Sequence, residues 1–282
     1  MFEYFCGGDI NKIPNDTTHL IFDDEFNEKI NNLPNSIIYL EFGNKFNQKV
    51  DNLPKSIIVI KFGNKFNQKV DNLPNSIKHL EFKSNFNQKV NKLPNSITHL
   101  TFGYNFNQKI NNLPNSITHL TLGMCFNNSI DNLPNSITHL TFGANFNQSI
   151  DKLPNSIIYL NLGYFFNNSI DGIINFVKIF NFENSKLYEM NKEKLINKHV
   201  IYRVNYFMHN FNDRYYLKYC YKFNNFFADD LNEEISYNIM ELQYFIHNIF
   251  FKKLIEYVFN PQRLLRIAEK YNLTFDEYMD FL

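Results

Sequence analysis

A twenty-residue unit that recurs eight times is the feature that most constrains the fold of this chain. The sequence Leu-Pro-Asn-Ser-Ile-Thr-His-Leu occurs unchanged at residues 93–100, 113–120 and 133–140, and weaker copies lie on either side. One proline per unit marks the constant step of twenty residues: Pro14, Pro34, Pro54, Pro74, Pro94, Pro114, Pro134 and Pro154. A fixed period of this length predicts a solenoid, in which a unit buries its apolar side chains only by stacking on its neighbours.

Each unit contains a short segment with the alternation of a β-strand. In the segment that begins at His99, the apolar residues Leu100 and Phe102 are separated by Thr101, so we expect Leu100 and Phe102 to face inward and His99 and Thr101 to face outward. Successive units would then stack their strands in parallel, about 4.8 Å apart. The sequence therefore predicts a parallel β-rich solenoid of twenty-residue turns.

The unit also predicts the domain organisation. Residues 1–12 are expected to be an N-terminal cap, 13–172 the eight repeats, 173–182 a degenerate exit strand and 183–282 a mostly α-helical C-terminal domain. In the cap, Phe2 stands twenty residues before Phe22, while Cys6 takes the place that Phe26 holds in the next turn. From about residue 183 the period is expected to end.

The C-terminal part carries helix signals. Residues 229–259 have apolar side chains at amphipathic spacing, and Pro261 suits the first position of a following helix. Thr274 and Glu277 have the spacing of a capping box before a last helix. Residues 186–227 are rich in aromatic side chains, and one or two helices are predicted there.

Two polar positions of the unit have backbone explanations. An asparagine follows the second core phenylalanine in every unit, and it is predicted to form an inward ladder that bonds backbone groups at the corner. The members of this ladder are Asn27, Asn47, Asn67, Asn87, Asn107, Asn127, Asn147 and Asn167. A glycine follows most strands, but Asp23 and Lys83 replace it in two units, so a positive φ is not expected at this position.

The unit Leu-Pro-Asn-Ser-Ile-Thr-His-Leu-Thr-Phe-Gly followed by Phe-Asn-Gln resembles the FNIP repeat, which is found mainly in amoebae and their giant viruses. This family is similar to leucine-rich repeats, and the resemblance covers residues 13–172. It implies a solenoid of leucine-rich-repeat type that binds proteins and has no enzymatic activity. Many family members carry an F-box and act as substrate receptors of ubiquitin ligases, but no F-box pattern is present in this sequence.

Composition excludes several other classes. Lysine plus arginine balance aspartate plus glutamate, 28 against 28, which argues against a protein that neutralises nucleic-acid phosphates. Cys6, Cys125 and Cys220 are too widely spaced to indicate a zinc site or a disulfide framework. We find neither a secretory signal nor an apolar run of membrane-spanning length. The expected location is the cytoplasm, which is the host cytoplasm if the chain is viral, with neither a membrane nor a nucleic acid as partner.

The outward strand positions are the candidate contact surface for a protein partner. The residues assigned to it are His79, His99, His119, His139, Tyr39, Tyr159, Thr101, Thr121 and Thr141. For the histidines, the alternatives are a neutral stacking ladder, a partner-binding face and a pH-sensitive face. A strand spacing of about 4.8 Å is too wide for the histidines to share one zinc ion. For the threonines, cross-strand hydroxyl pairs are the alternative to partner binding.

Two further patterns bear on function. Ser96 and His99 recur in each turn without an aspartate at a fixed offset, and no glycine-rich phosphate loop occurs, so no catalytic, cofactor-binding or metal-binding residue is assigned. Five lysines share one position of the unit, and they are expected to be either a hydrated surface or a site for an acidic partner. They are Lys29, Lys49, Lys69, Lys89 and Lys109.

The sequence thus predicts a non-enzymatic protein–protein interaction scaffold that binds an unidentified protein through the strand side of a solenoid. Two alternatives stay open. In the first, the chain is a substrate-recognition adaptor whose helical domain contacts a ubiquitin ligase. In the second, it is a structural protein that assembles with itself.

Overall fold

The structure of the chain, a computed structural model, describes residues 3–6, 9–210 and 214–224. The strands are β1 Glu3–Cys6, β2 His19–Phe22, β3 Tyr39–Glu41, β4 Val59–Phe62, β5 His79–Phe82, β6 His99–Thr101, β7 His119–Thr121, β8 His139–Thr141, β9 Tyr159–Leu162, β10 Ile179–Phe182, β11 His199–Asn210 and β12 Arg214–Asn224. One α-helix, α1, spans Ser185–Asn191, and short 3-10 helices span Ile10–Lys12 and Lys192–Leu195. The described residues up to Tyr202 belong to one compact unit, and Arg203–Lys222 belong to a second.

The strands of the first unit follow one another in a single parallel sheet, which confirms the predicted solenoid. From β2 to β10, each strand pairs with the next in a register of twenty residues, as in the pairs His99↔His119 and His119↔His139. The first turn is shorter, because Glu3 pairs with His19 and Cys6 pairs with Phe22. Cys6 is therefore equivalent to Phe22, and the predicted equivalence of Cys6 with Phe26 is wrong.

Stacked columns of apolar side chains form the core. In the strands from β2 to β9 the burial alternates as the sequence predicts, and Leu100 and Phe102 are each 1% exposed. The phenylalanine that follows the strand, such as Phe106, is fully buried and stacks on Phe102 of its own turn with ring centroids 3.7 Å apart. Because identical residues repeat in register, each apolar position becomes a continuous column along the first unit.

The distances between stacked rings show that the turns fan out from the strand side. Histidine rings on the outer side of the strands lie 4.2 Å apart, as between His99 and His119. The rings of Phe62 and Phe82, on the inner side, lie 5.4 Å apart. At the next core column the rings lie 6.1 to 6.2 Å apart in every pair from Phe26 to Phe166. Across the turns with stacked histidines the spacing grows away from the strands, so the outer surface of β5 to β8 is concave.

The glycine after the strand is explained by the close approach of successive turns. No glycine of the described residues has a positive φ, as the replacements by Asp23 and Lys83 led us to expect. A Cβ atom at Gly123 would lie 1.7 Å from the carbonyl oxygen of Gly103 in the preceding turn. A distance this short is far inside van der Waals contact, so the position favours glycine because a side chain would force the turns apart.

The asparagines form a ladder between turns, and the ladder lies at the surface. The Oδ1 atom of each asparagine from Asn27 to Asn147 accepts a hydrogen bond from the backbone N–H of the asparagine in the next turn, at 2.8 to 3.1 Å. All eight side chains from Asn27 to Asn167 are exposed or half-buried, so the predicted inward orientation is wrong. The residue before each asparagine is a buried phenylalanine, and in extended backbone the next side chain points the opposite way.

A serine ladder joins the turns on another side of the repeat. The hydroxyl of Ser116 donates to the carbonyl oxygen of Ile97 at 2.6 Å, and equivalent bonds of 2.6 to 2.7 Å link successive turns from Ser36 to Ser156. These side chains are half-buried. Each of these bonds crosses from one unit to the preceding unit, so the serine column connects successive turns.

The described C-terminal residues do not support a mostly α-helical domain. Helix α1 has seven residues, and β11 and β12 occupy 12 and 11 residues of the segment for which helices were predicted. The reason is a period-two pattern in the sequence, in which Tyr202, Val204 and Tyr206 alternate with the polar residues Arg203 and Asn205. The helices predicted over 229–259, from Pro261 and over 274–282 lie outside the described residues.

The twenty-residue register also continues one turn beyond the predicted end of the period. Ile179 of β10 pairs with His199 of β11, and Phe182 pairs with Tyr202. Helix α1 fills the turn between these strands in place of the usual repeat sequence. Its N-cap residue Asn184 accepts from the backbone N–H of Lys186 at 3.0 Å, and buried side chains of this turn complete the core.

Candidate interaction face

The outward side chains of β2 to β9 form one surface, the strand face. One column of the strand face contains His19, Tyr39, Val59, His79, His99, His119, His139 and Tyr159, and the next contains Ile21, Glu41, Lys61, Glu81, Thr101, Thr121, Thr141 and Asn161. Nearly all of these side chains are half-buried, and His79 is exposed. In-register pairing brings the predicted partner-binding residues together on this surface.

Four consecutive histidines form a stack of imidazole rings. The centroids of His79, His99, His119 and His139 lie 4.2 Å apart from one ring to the next, with interplanar angles of 10 to 19°. The column continues with looser contacts, since His139 lies 5.9 Å from Tyr159. Rings at these distances hold one another in a common orientation.

Threonine hydroxyls contact one nitrogen of each imidazole ring. Oγ1 of Thr118 lies 2.9 Å from Nδ1 of His119 and 3.2 Å from the carbonyl oxygen of Thr98. The hydroxyl has one hydrogen, which is donated either to the carbonyl oxygen, with Nδ1–H of the histidine donating to Oγ1, or to an unprotonated Nδ1. The same arrangement recurs at His99 and His139. In either tautomer the threonine hydroxyl restrains the ring.

His79 has a different environment from the histidines that follow it. Lys78 precedes it, where Thr98 precedes His99. Burial lowers the pKa of His79 below its ordinary value, and the charges of Lys78 and Lys61 lower this pKa further. His79 is therefore neutral at physiological pH, because its neutral form predominates above its ordinary pKa of about 6.5.

The first half of the strand face contains charged groups in contact with aromatic and apolar ones. The hydroxyl of Tyr39 donates to the carboxylate of Glu41. Nζ of Lys61 lies 3.9 Å from Glu81 and 5.7 Å from the ring centroid of Tyr39. Lys61 and Glu81 thus form an ion pair across two neighbouring strands, whereas Glu41 bonds a tyrosine of its own strand.

The second half of the strand face ends at Tyr159. Burial raises the pKa of the Tyr159 hydroxyl, which accepts a hydrogen bond from Nδ2 of Asn181 at 3.2 Å. Thr101, Thr121 and Thr141 lie side by side in the register of β6, β7 and β8. Within the described residues no hydrogen bond joins their hydroxyls, so the expected cross-strand hydroxyl pairs are not formed.

The described residues contain no group of three or more histidine, cysteine or carboxylate side chains with the geometry to hold a metal ion. In the same part of the chain, no helix combines the length and the apolar character needed to cross a membrane. Cys125, whose side chain is half-buried, is a free thiol.

The stacked parallel strands, the twenty-residue turns and the continuous apolar core define a repeat solenoid of leucine-rich-repeat type. The model of the FNIP repeat matches the chain at residues 8–45, 46–85, 66–92, 86–125 and 126–165. These matches cover more than half of its length, and the chain belongs to the FNIP repeat family.

The comparison with solved structures agrees with this assignment. CroV588, from a giant virus (CroV) and described as a novel circular LRR protein, is 47% identical over 61% of this chain, with a TM-score of 0.57. The alignment spans 28% of the CroV588 chain. A search of curated proteins found no match. FNIP repeats on a solenoid of this kind are typical of repeat proteins without enzymatic activity.

Proposed function

We propose that the chain is a non-enzymatic scaffold that binds a protein partner through the strand face. The proposal rests on one observation: residues of the strand face differ between turns whose backbone is nearly the same. The asparagine and serine columns stay nearly constant because each turn needs their hydrogen bonds. At equivalent strand-face positions, Val59, His79 and Tyr159 occupy the same backbone environment. The repeat fold does not require these particular residues, so their choice favours a role outside the fold.

The chemistry of the strand face supports a protein as the partner. Ile38 and Ile58, just before β3 and β4, are 39% and 40% exposed, and the aromatic ring of Tyr39 lies in the same region. The charged residues Lys61 and Glu81 follow, and then the histidines and threonines. An apolar region beside groups that donate and accept hydrogen bonds is the usual composition of a protein interface.

The fixed geometry of the imidazoles also favours binding. Stacking and the threonine hydroxyls restrain the rings of His99, His119 and His139. Side chains that are ordered before binding lose little conformational freedom when a partner docks, so more of the contact free energy contributes to affinity.

A pair of matched variants tests the proposal. His99, His119 and His139 are replaced together by alanine, and the control replaces Asn95, Asn115 and Asn135, which are exposed in the same three turns. Tagged full-length chains are used to capture partners from cell lysate, and circular dichroism checks the fold. We expect the histidine variant to lose partners that the control retains, with an affinity loss of about tenfold or more. An identical set of partners at equal yield would contradict the proposal.

We propose the cytoplasm as the place of this interaction, on the grounds of composition given above. The two alternatives stay predictions with their own measurements. Capture of ubiquitin-ligase subunits by the full chain would favour the adaptor. Large assemblies in light scattering of the purified chain would favour a structural protein.

A further inference from the structure

A second surface, away from the strand face, presents a column of uncompensated positive charge. This lysine column consists of Lys29, Lys49, Lys69, Lys89 and Lys109. Each member lies two residues after a ladder asparagine and directly before a buried core residue, so the register of the turns aligns the five positions. All five side chains are exposed, and none forms an ion pair with another described residue.

Some lysines at other positions of the repeats form ion pairs, whereas others, such as Lys65, form none with a described residue. Lys45 pairs with Glu25, Lys61 with Glu81 at 3.9 Å, and Lys152 with Asp131 at 3.5 Å. Aspartates lie two residues after Lys49 and Lys69, at Asp51 and Asp71, without forming an ion pair with them, and Glu28 directly precedes Lys29. Beside Lys89 and Lys109 the equivalent residues are asparagines. The charge is therefore least compensated at Lys89 and Lys109.

The fold itself does not require lysine in this column. In the next three turns, serine occupies the same position, at Ser129, Ser149 and Ser169, in the same register. Stacking like charges in successive turns is unfavourable, and the chain avoids it where the column turns neutral. A structural role for the lysine side chain is thus excluded by the chain's own repeats.

The spacing of the column matches an extended peptide. At the phenylalanine column three residues before the lysines, the turns repeat at 6.1 Å. In an extended strand the side chains of residues i and i+2 point to the same side about 6.6 Å apart. Carboxylates at alternate positions of such a peptide would each face one lysine. The flexible stem of lysine accommodates the small difference in spacing.

Two features disfavour a single-stranded nucleic acid as the ligand. Nucleic-acid grooves combine positive charge with aromatic side chains on which the bases stack. The residues that surround the lysine column are glutamines, asparagines and buried aliphatic side chains, as at Gln88, Asn91 and Ile110. The chain as a whole also carries no excess of positive charge.

We propose that the lysine column is a binding site for an extended acidic peptide segment with carboxylates at alternate residues. The peptide runs across the turns and pairs successive carboxylates with successive lysines. This site is separate from the strand face, so the chain would hold two partners or two parts of one partner.

The test uses a fluorescent peptide of alternating glutamate and serine, about ten residues long, which is enough to span the column. Binding to the full-length chain is measured by fluorescence anisotropy at low ionic strength, where exposed charges are least screened. One variant replaces Lys89 and Lys109 by serine, as in the chain's later turns. Its matched control replaces Lys45 and Lys65 by asparagine, which occurs at that position in other turns. Both variants remove the same amount of charge.

We expect the alternating peptide to bind, and the K89S/K109S variant to weaken binding about fivefold. The control should change the affinity by less than about twofold. No binding of the alternating peptide would overturn the proposal, as would equal losses in both variants. If a peptide of the same composition with its glutamates in one block bound with equal affinity, the proposed pairing of alternate carboxylates with successive lysines would be wrong. Tighter binding of an oligothymidylate of similar charge would assign the site to nucleic acid and overturn the proposal as well. Circular dichroism of both variants checks that they fold.

Discussion

Replacing one ladder asparagine tests the hydrogen bonds that connect the turns. Oδ1 of Asn107 accepts from the backbone N–H of Asn127 at 3.0 Å and from Nδ2 of Asn128 at 2.8 Å. In Asn107→Ala both donors lose this acceptor. A hydrogen bond contributes about 0.5–1.5 kcal/mol, and the exposed position places both bonds at the lower end because water partly replaces the acceptor. We therefore expect the free energy of unfolding to fall by about 1 kcal/mol.

Two assays measure this loss. A change of that size lowers the midpoint of thermal unfolding by about 2–4 °C in a chain of this size class. Amide hydrogen exchange localises the effect, since the N–H of Asn127 should exchange about fivefold faster than in the wild type, while amides two turns away keep their rates.

A second substitution at the same position tests whether the loss of the acceptor oxygen, and not the loss of side-chain volume, destabilises the fold. Asn107→Asp keeps an oxygen that accepts from the N–H of Asn127, as Asp24 does for the backbone N–H of Asn44 at 3.0 Å at another ladder-forming position. We expect the aspartate variant to stay within about 0.5 kcal/mol of the wild type. Equal destabilisation by alanine and aspartate, or no effect of alanine on the exchange of Asn127, would refute the ladder as the connecting element.

Three further outcomes follow from the geometry. In urea unfolding, Gly123→Ala should lower the free energy of unfolding by about 3 kcal/mol, because its Cβ would lie 1.7 Å from a carbonyl oxygen. Gly172→Ala should lower it by less than about 1 kcal/mol, because the atom nearest to its Cβ would be a side-chain oxygen at 3.0 Å. Ser116→Ala removes the half-buried 2.6 Å bond to the preceding turn and should cost about 1 kcal/mol in the same assay. Since burial and nearby lysines depress the pKa of His79, the unfolded state binds its proton more readily; stability should fall as pH decreases below about 6.5, and an NMR titration of His79 should give a midpoint below that value.

The periodic part of the fold was predictable because each turn repeats the same local signals. The proline step, the alternation around Leu100 and the constant phenylalanine after the strand determine strand, core and register together. The glycine after the strand was predictable only in part. Because Asp23 and Lys83 replace it in two units, a positive φ could be excluded from the sequence. The contact of Gly123 with the preceding turn depends on the distance between two turns, and the sequence of one unit does not determine that distance.

Two predictions were wrong for different physical reasons. The asparagines were predicted to face inward because they never vary. A surface residue is constrained as strongly as a core residue when its side chain bonds the backbone of the next turn. The segment with β11 and β12 was assigned to helices because its aromatic residues obscured the alternation from Tyr202 to Tyr206. Aromatic and β-branched residues at alternate positions favour strands, and this pattern was the available signal.

The strand face was predictable in position but not in detail. Alternation placed His99 and Thr101 outward, and the repeat placed their equivalents in columns. The hydroxyl of Thr118, which contacts Nδ1 of His119, also contacts a carbonyl oxygen of the preceding turn, and this second contact emerged only when the turns were stacked.

Site-specific photo-crosslinking is the most direct test of the strand face as the binding surface. A photoreactive amino acid is placed at Thr121, on the strand face, and in a separate chain at Asn115, which is exposed in the same turn on another side. After irradiation in cell lysate, we expect a discrete crosslinked protein with the chain labelled at position 121 and none with the chain labelled at position 115. A crosslinked protein from position 115 alone, or the same protein at equal yield from both positions, would contradict binding through the strand face.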